Sequence, residues 1–159
     1  MSIVIGIDPG CSGALVALDA ILMRPAGWML APTVKLGNST RIDAAAVARW
    51  LAYWSPITTE VVIEQVQAMP GQGVTSMFTF GHAAGVVEGV VCGAMIPHHK
   101  VTPQAWKKGV GLIGQDKDAS RSRAIQLWPW WEELGKKGAG QALADAALIA
   151  YHHARTRTP

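Results

Sequence analysis

Three carboxylates stand out by their surroundings. Asp8 closes the apolar run Ile3-Val4-Ile5-Gly6-Ile7 and is followed at once by Pro9-Gly10-Cys11-Ser12-Gly13. Glu64 closes a second apolar run, Val61-Val62-Ile63. Asp145 interrupts the otherwise apolar stretch Ala142-Leu143-Ala144-Asp145-Ala146-Ala147-Leu148-Ile149-Ala150. Burying a carboxylate is costly unless something pairs with it. No Lys or Arg lies in the opening motif, so a metal ion is the natural partner of Asp8. Brought to one sheet edge, the three acids make a hard, oxygen-lined site that suits Mg²⁺ or Mn²⁺, whereas zinc would want His or Cys. Two such ions about 3.5–4 Å apart can activate a water and stabilise the leaving oxygen of a phosphodiester. The competing explanation, a separate salt bridge or cap for each acid, serves one carboxylate better than three in apolar settings.

The elements that must position these acids follow from periodicity. Short β-branched runs at 3–7 and 60–64 predict buried strands. Asp8 and Glu64 then sit at strand ends, where open sheets bind ligands. Residues 14–18 predict a hairpin partner for the first strand, and 19–41 a third strand and a loop. A helix is expected over 43–53, capped by Thr40 or Asp43 and ended by Ser55-Pro56. After a loop at 65–75, Thr75 or Ser76 is expected to cap a helix reaching about residue 93. Gly81, Gly85 and Gly89 recur along it, and each costs about 1 kcal/mol against alanine, so close packing against another backbone is expected there. A short strand at 97–101, a short helix at 103–108, a basic helix at 116–128, a flexible loop at 135–140 and an Ala-rich helix at 141–154 complete the reading. The pattern is that of a mixed α/β layer fold.

The chain has 159 residues, half of them hydrophobic and 16% charged, which fits one domain over 1–159 and excludes a disordered protein. A net charge of +3 is compatible with a polyanionic partner. The two cysteines, Cys11 and Cys92, make no disulfide framework, and the opening residues do not read as a leader, so a cytoplasmic location is expected. Cys11 reads as a small residue in a tight turn rather than a nucleophile. The longest apolar stretch, 86–96, contains Glu88 and is too short to cross a bilayer, so no membrane partner is expected. Among the other acids, Glu60 is expected on the opposite face of its strand, Glu88 partly buried, and Glu132 and Glu133 on the surface. Trp28, Trp50, Trp54 and Trp106 read as core or interface, and Trp128, Trp130 and Trp131 as a plug over the sheet, against the competing reading of an exposed cluster that binds a partner.

Six motifs in order make the chain resemble the RuvC-type Holliday junction resolvases, in the compact form often encoded by phages. They are Ile5-Gly6-Ile7-Asp8-Pro9-Gly10; Ile63-Glu64-Gln65-Val66; Ser76-Met77-Phe78-Thr79-Phe80-Gly81 with Gly85; Val101-Thr102-Pro103 with Trp106-Lys107-Lys108; Asp116-Lys117-Asp118 with Arg121; and Ala144-Asp145-Ala146-Ala147-Leu148-Ile149-Ala150. The resemblance spans nearly the whole chain. It implies a ribonuclease H-like α/β fold, with a central five-stranded mixed sheet flanked by helices. It implies metal-dependent hydrolysis of branched DNA by a homodimer, with no covalent enzyme intermediate, in a bacterial cell. Asp8, Glu64 and Asp145 would be the catalytic metal ligands, holding Mg²⁺, or Mn²⁺ in its place, as two ions. One departure matters. The family carries a further acid one helical turn before the last aspartate, and here that position is Ala142, with Gln141 beside it. Ala139 or Ala142 would be the place of an inactivating substitution, if there is one. His152 and His153 lie about 11 Å or more along the helix from Asp145, too far for direct help.

The expected DNA-facing residues are Lys107, Lys108, Lys117, Arg121, Lys136 and Lys137, with Arg123 beside them, as phosphate contacts. Gln67, Met69 and Gln72 lie in the loop after the second acidic strand, near where a scissile phosphate would sit. The family often places a base-stacking aromatic in this loop. Gln67 stands at about that place, and Phe78 or Phe80 would take over stacking, against the competing reading of core or dimer interface. Two other functions compete with the nuclease: a branched-DNA binder with an impaired active site, and a nucleotide-binding protein of the actin and sugar-kinase type. The latter needs two such domains and a much longer chain.

Overall fold

The computed structural model describes residues 2–157, apart from the Thr59 side chain. Its centre is a five-stranded sheet in the order β3-β2-β1-β6-β7. The strands are β1 (Ile3–Asp8), β2 (Ala14–Asp19), β3 (Arg24–Leu30), β6 (Thr58–Glu64) and β7 (His98–Val101). β2 runs antiparallel to both β1 and β3, while β6 lies parallel to both β1 and β7. This is the expected mixed sheet.

Alternation along the strands sends side chains to two cores. Ile3, Ile5, Ile7, Val61 and Ile63 face one side, under α1 (Ala44–Trp54) and α2 (Val74–Gly93). Val4, Val16 and Val62 face the other, where α5 (Lys137–Arg157) lies against the sheet with α3 (Pro103–Gly109) and α4 (Ala119–Leu127) around it. The approach of α5 is close because residue 6 is glycine: a Cβ there would run into the Ala146 carbonyl and the Ala150 backbone nitrogen. Asp43 caps α1 by accepting from the Ala46 N–H at 3.0 Å, as expected.

Several expectations change. Residues 33–42 form a separate two-stranded sheet, β4 (Thr33–Leu36) with β5 (Ser39–Ile42), instead of a plain loop. The N-cap of α2 is Gly73, with no side-chain capping bond, so neither Thr75 nor Ser76 does that work. The glycines of α2 do not meet another backbone: a Cβ at Gly81, Gly85 or Gly89 would have nothing within 4 Å. α2 is held through Ala83, Val87 and Val91. By length and composition alone it is apolar enough to cross a bilayer, which the shorter 86–96 stretch obscured. The basic helix begins only at Ala119. The 135–140 loop is mostly helical, because α5 starts at Lys137 and Gly140 sits against the Leu134 carbonyl. Trp128 and Trp131 are buried over the sheet and Trp130 is half exposed.

Candidate active site

The three acids converge. Asp8 ends β1, Glu64 ends the neighbouring parallel strand β6, and Asp145 faces them from α5. Their charges act on one another. Burial, and after it the Glu64 and Asp145 carboxylates, pushes Asp8 from 3.8 up to about 7, against a weak 3.4 Å bond from the Gly10 N–H. Burial raises Glu64 as well, opposed by the Trp106 hydrogen bond. Burial also raises Asp145, opposed by Ser120 and Gln141.

Each acid outside β1 is held by a neighbour. The Trp106 indole N–H donates to Glu64 Oε1 at 2.7 Å. Trp106 is itself buried, on a helix that Thr102 caps and Pro103 opens. Gln141 stands one turn before Asp145 and its amide donates toward both carboxylate oxygens, at 3.2 and 3.3 Å. The same amide nitrogen contacts the Ser120 hydroxyl. Trp106, Ser120 and Gln141 were not among the predicted site residues. The four-residue spacing of Gln141 and Asp145 is the one local signal that would have found any of them.

Two cavities open on this centre. One is bounded by Asp8, Gly10, Cys11 and Glu64 together with Gln72, Thr75, Ser76, Thr79 and Phe80. The other holds Lys107, Asp116, Lys117, Ser120, Gln141 and Asp145. The charge of Lys107 lowers both Glu64 and Asp145. No Lys or Arg forms an ion pair with Asp8, Glu64 or Asp145 among the described residues. Half-buried, mutually repelling carboxylate oxygens with no paired cation are the donor set that a hard divalent ion satisfies, so these residues fit Mg²⁺ or Mn²⁺.

The expected DNA-facing residues divide. Lys107, Lys117 and Gln72 line the cavities beside the acids. Gln67, Met69, Lys108, Lys136 and Lys137 are exposed and line neither cavity. Arg121 is turned inward, donating to the Leu134 carbonyl at 3.4 Å. Arg123 reaches Gln126. Phe78 is 64% exposed, which removes it from the core, and the Arg41 guanidinium of β5 lies 6.0 Å from its ring centre. Phe80, by contrast, forms part of the cavity wall. Cys11 lies in the turn with its sulfur 3.9 Å from the Thr40 carbonyl. Ala142 is buried in the α5 core, so no acid fills the position where the family carries its further carboxylate.

Glu60 requires a correction. It shares its face of β6 with Val62 and Glu64, two and four residues on, and therefore points toward α5. There it meets His153.

A five-stranded mixed sheet with acids at the ends of two adjacent parallel strands, and a third on a helix packed across them, is a ribonuclease H-like α/β arrangement. Among solved structures the likeness is to RuvC. The Thermus thermophilus RuvC in complex with Holliday junction substrate is 23% identical, with a TM-score of 0.65, over 99% of this chain and 98% of that one. A second Thermus thermophilus RuvC structure is 21% identical, with a TM-score of 0.54, over 96% and 93%. At these identities the likeness is one of fold. No protein-family model matches the chain, and no curated protein does.

Proposed function

We propose that the chain is a divalent-metal-dependent endonuclease that hydrolyses phosphodiesters in branched DNA. The observation that carries this reading is the convergence of Asp8, Glu64 and Asp145, half-buried and without a paired cation, at one edge of the sheet. The end-to-end fold match to a RuvC bound to a Holliday junction supports the choice of substrate. Asp8, Glu64 and Asp145 would hold Mg²⁺ or Mn²⁺. Such ions supply an activated water and stabilise the leaving oxygen.

The chain's own residues do the positioning. Trp106 fixes the Glu64 carboxylate, and Gln141 with Ser120 fixes Asp145, so neither acid reorganises as charge develops. Lys107 and Lys117 stand beside the acids as phosphate contacts, giving affinity without reading sequence. Two chains acting together would cut both strands of a junction, and the open glycine face of α2 supports pairing of copies.

One observation favours a second reading, a binder that does not cut: Ala142 leaves the acidic set at three. A radiolabelled four-way junction incubated with Mg²⁺ or Mn²⁺, with Asp8→Asn as control, separates the two. Cleavage by the wild type and not by the variant is expected. Junction binding without cleavage in either metal would leave only the binder.

A further inference from the structure

A second cluster of metal-ligand side chains lies at the far end of the seam between β6 and α5. His153 Nε2 is 2.5 Å and His99 Nε2 is 3.3 Å from the same atom, Glu60 Oε2. The three ligand atoms lie within 4.8 Å of one another, and each comes from a different element: β6, β7 and α5. The two imidazole rings are 5.2 Å apart, tilted by 32°. The other carboxylate oxygen, Oε1, is engaged by the Arg157 guanidinium, which leaves Oε2 turned toward the rings. Glu60 and His153 are mostly shielded, with side chains 13% and 16% exposed, whereas His99 is 49% exposed and open to solvent.

We propose that Glu60, His99 and His153 form a binding site for one zinc-class transition-metal ion, distinct from the carboxylate centre. Two imidazole nitrogens with one carboxylate oxygen is a donor set for zinc or cobalt(II), and magnesium avoids it. Bonds of about 2.0–2.2 Å to each donor need only a small withdrawal of His153 from the oxygen it now touches. The Arg157 contact orients the ligating carboxylate as an outer partner does in known metal sites. The cluster is remote from the catalytic acids. Glu60 precedes Glu64 by four strand residues, about 13 Å, and His153 follows Asp145 by eight helical residues, about 12 Å. An ion there ties β6, β7 and α5 together at the end away from the chemistry. The competing state is a metal-free knot in which Arg157 and the two imidazoles hold Glu60 by hydrogen bonds and ion pairing alone.

Cobalt(II) titration followed by visible absorption tests this, because four- or five-coordinate nitrogen-ligated cobalt absorbs far more strongly than an all-oxygen octahedral site. The wild-type protein is expected to take up one equivalent with intense bands. Millimolar Mg²⁺ should leave them in place, and zinc should displace the cobalt and raise the melting temperature. Asp8→Asn should keep the signal, while His99→Ala and His153→Ala each weaken binding by tenfold or more. Because His99 is half exposed, its variant is expected to fold, which circular dichroism checks. Absence of the bands in the wild type, or bands that survive both histidine substitutions, would overturn the site. Loss of the bands on Asp8→Asn alone would assign them to the carboxylate centre and overturn it equally. None of these readouts depends on DNA cleavage.

Discussion

Glu64 accepts a 2.7 Å hydrogen bond from the indole N–H of Trp106, forty-two residues further along the chain. The bond joins the end of β6 to a buried ring on α3, and it fixes which oxygen of the carboxylate stays free. Trp106→Phe removes the donor and leaves a smaller ring in a fully buried site. Metal affinity at the acidic centre is expected to fall about 10- to 100-fold, together with a lower melting temperature from the void left in the core. Calorimetric titration with Mn²⁺ checks it, and unchanged affinity would show that the bond orients nothing.

Asp8 makes stability depend on pH. Its carboxyl titrates at about 7 in the fold, against 3.8 ordinarily, so the folded state holds this proton over a range where the unfolded chain has lost it. The stability Asp8 contributes is therefore complete below about pH 4 and lost as the pH rises through 7. In chelator, Asp8→Asn should melt higher than wild type at pH 8, by at most about 4 kcal/mol of stability, and the gain should vanish near pH 4. A gain independent of pH would contradict the assignment. Protons and metal compete for the same oxygens, so metal binding should also strengthen between pH 6 and 8.

Gln141 occupies the turn before Asp145 and touches both its oxygens. Gln141→Glu returns the acidic set to four. The extra charge should tighten Mn²⁺ binding about tenfold or more, since even at the dielectric constant of water a carboxylate about 4 Å from a divalent ion contributes roughly 2 kcal/mol. It should also lower the melting temperature without metal, since like charges then crowd Asp145. Calorimetry and thermal melts in chelator read both effects, and a variant that binds Mn²⁺ no better would place Gln141 outside the ion's reach.

Gly6 sets how close α5 comes to the sheet. Gly6→Ala puts a methyl group into the Ala146 carbonyl, which is rigid helix backbone. The expected loss is about 3 kcal/mol or more, and because α5 carries Asp145, metal binding should weaken with it. Thermal melting beside Mn²⁺ titration tests the pairing of the two losses.

The acids were legible in the sequence because each sits in an apolar run, and burial is what makes a carboxylate conspicuous. The positions of β1, β2 and β6 followed from the same kind of run, while their order in the sheet is set by tertiary pairing. What holds the acids was not legible. Trp106 is distant in sequence from Glu64, and Ser120 from Asp145, and tertiary packing alone joins them. Glu60 was misassigned to the wrong face although its four-residue spacing from Glu64 puts both on one side of β6. Glycine spacing along α2 suggested a tightly packed helix, yet the stripe faces outward, since periodicity identifies a face but not what covers it. The β4–β5 hairpin is hard to read because its strands are four residues each and β4 is wholly exposed, which leaves little apolar alternation to detect.

The two walls of the acid-lined cavity differ in stiffness. Asp8 and Glu64, on one side of it, end the central strands β1 and β6. The facing wall is the first turns of α2, where Thr75, Ser76, Thr79 and Phe80 sit. That segment begins at an uncapped glycine, carries Val74 and Phe78 into solvent, and runs into glycines with nothing around them. Amide protons there should exchange with solvent by local opening far sooner than those of β1 or α5. The cleft thus has one stiff side and one that opens readily, so it can widen without changing the spacing of Asp8 and Glu64.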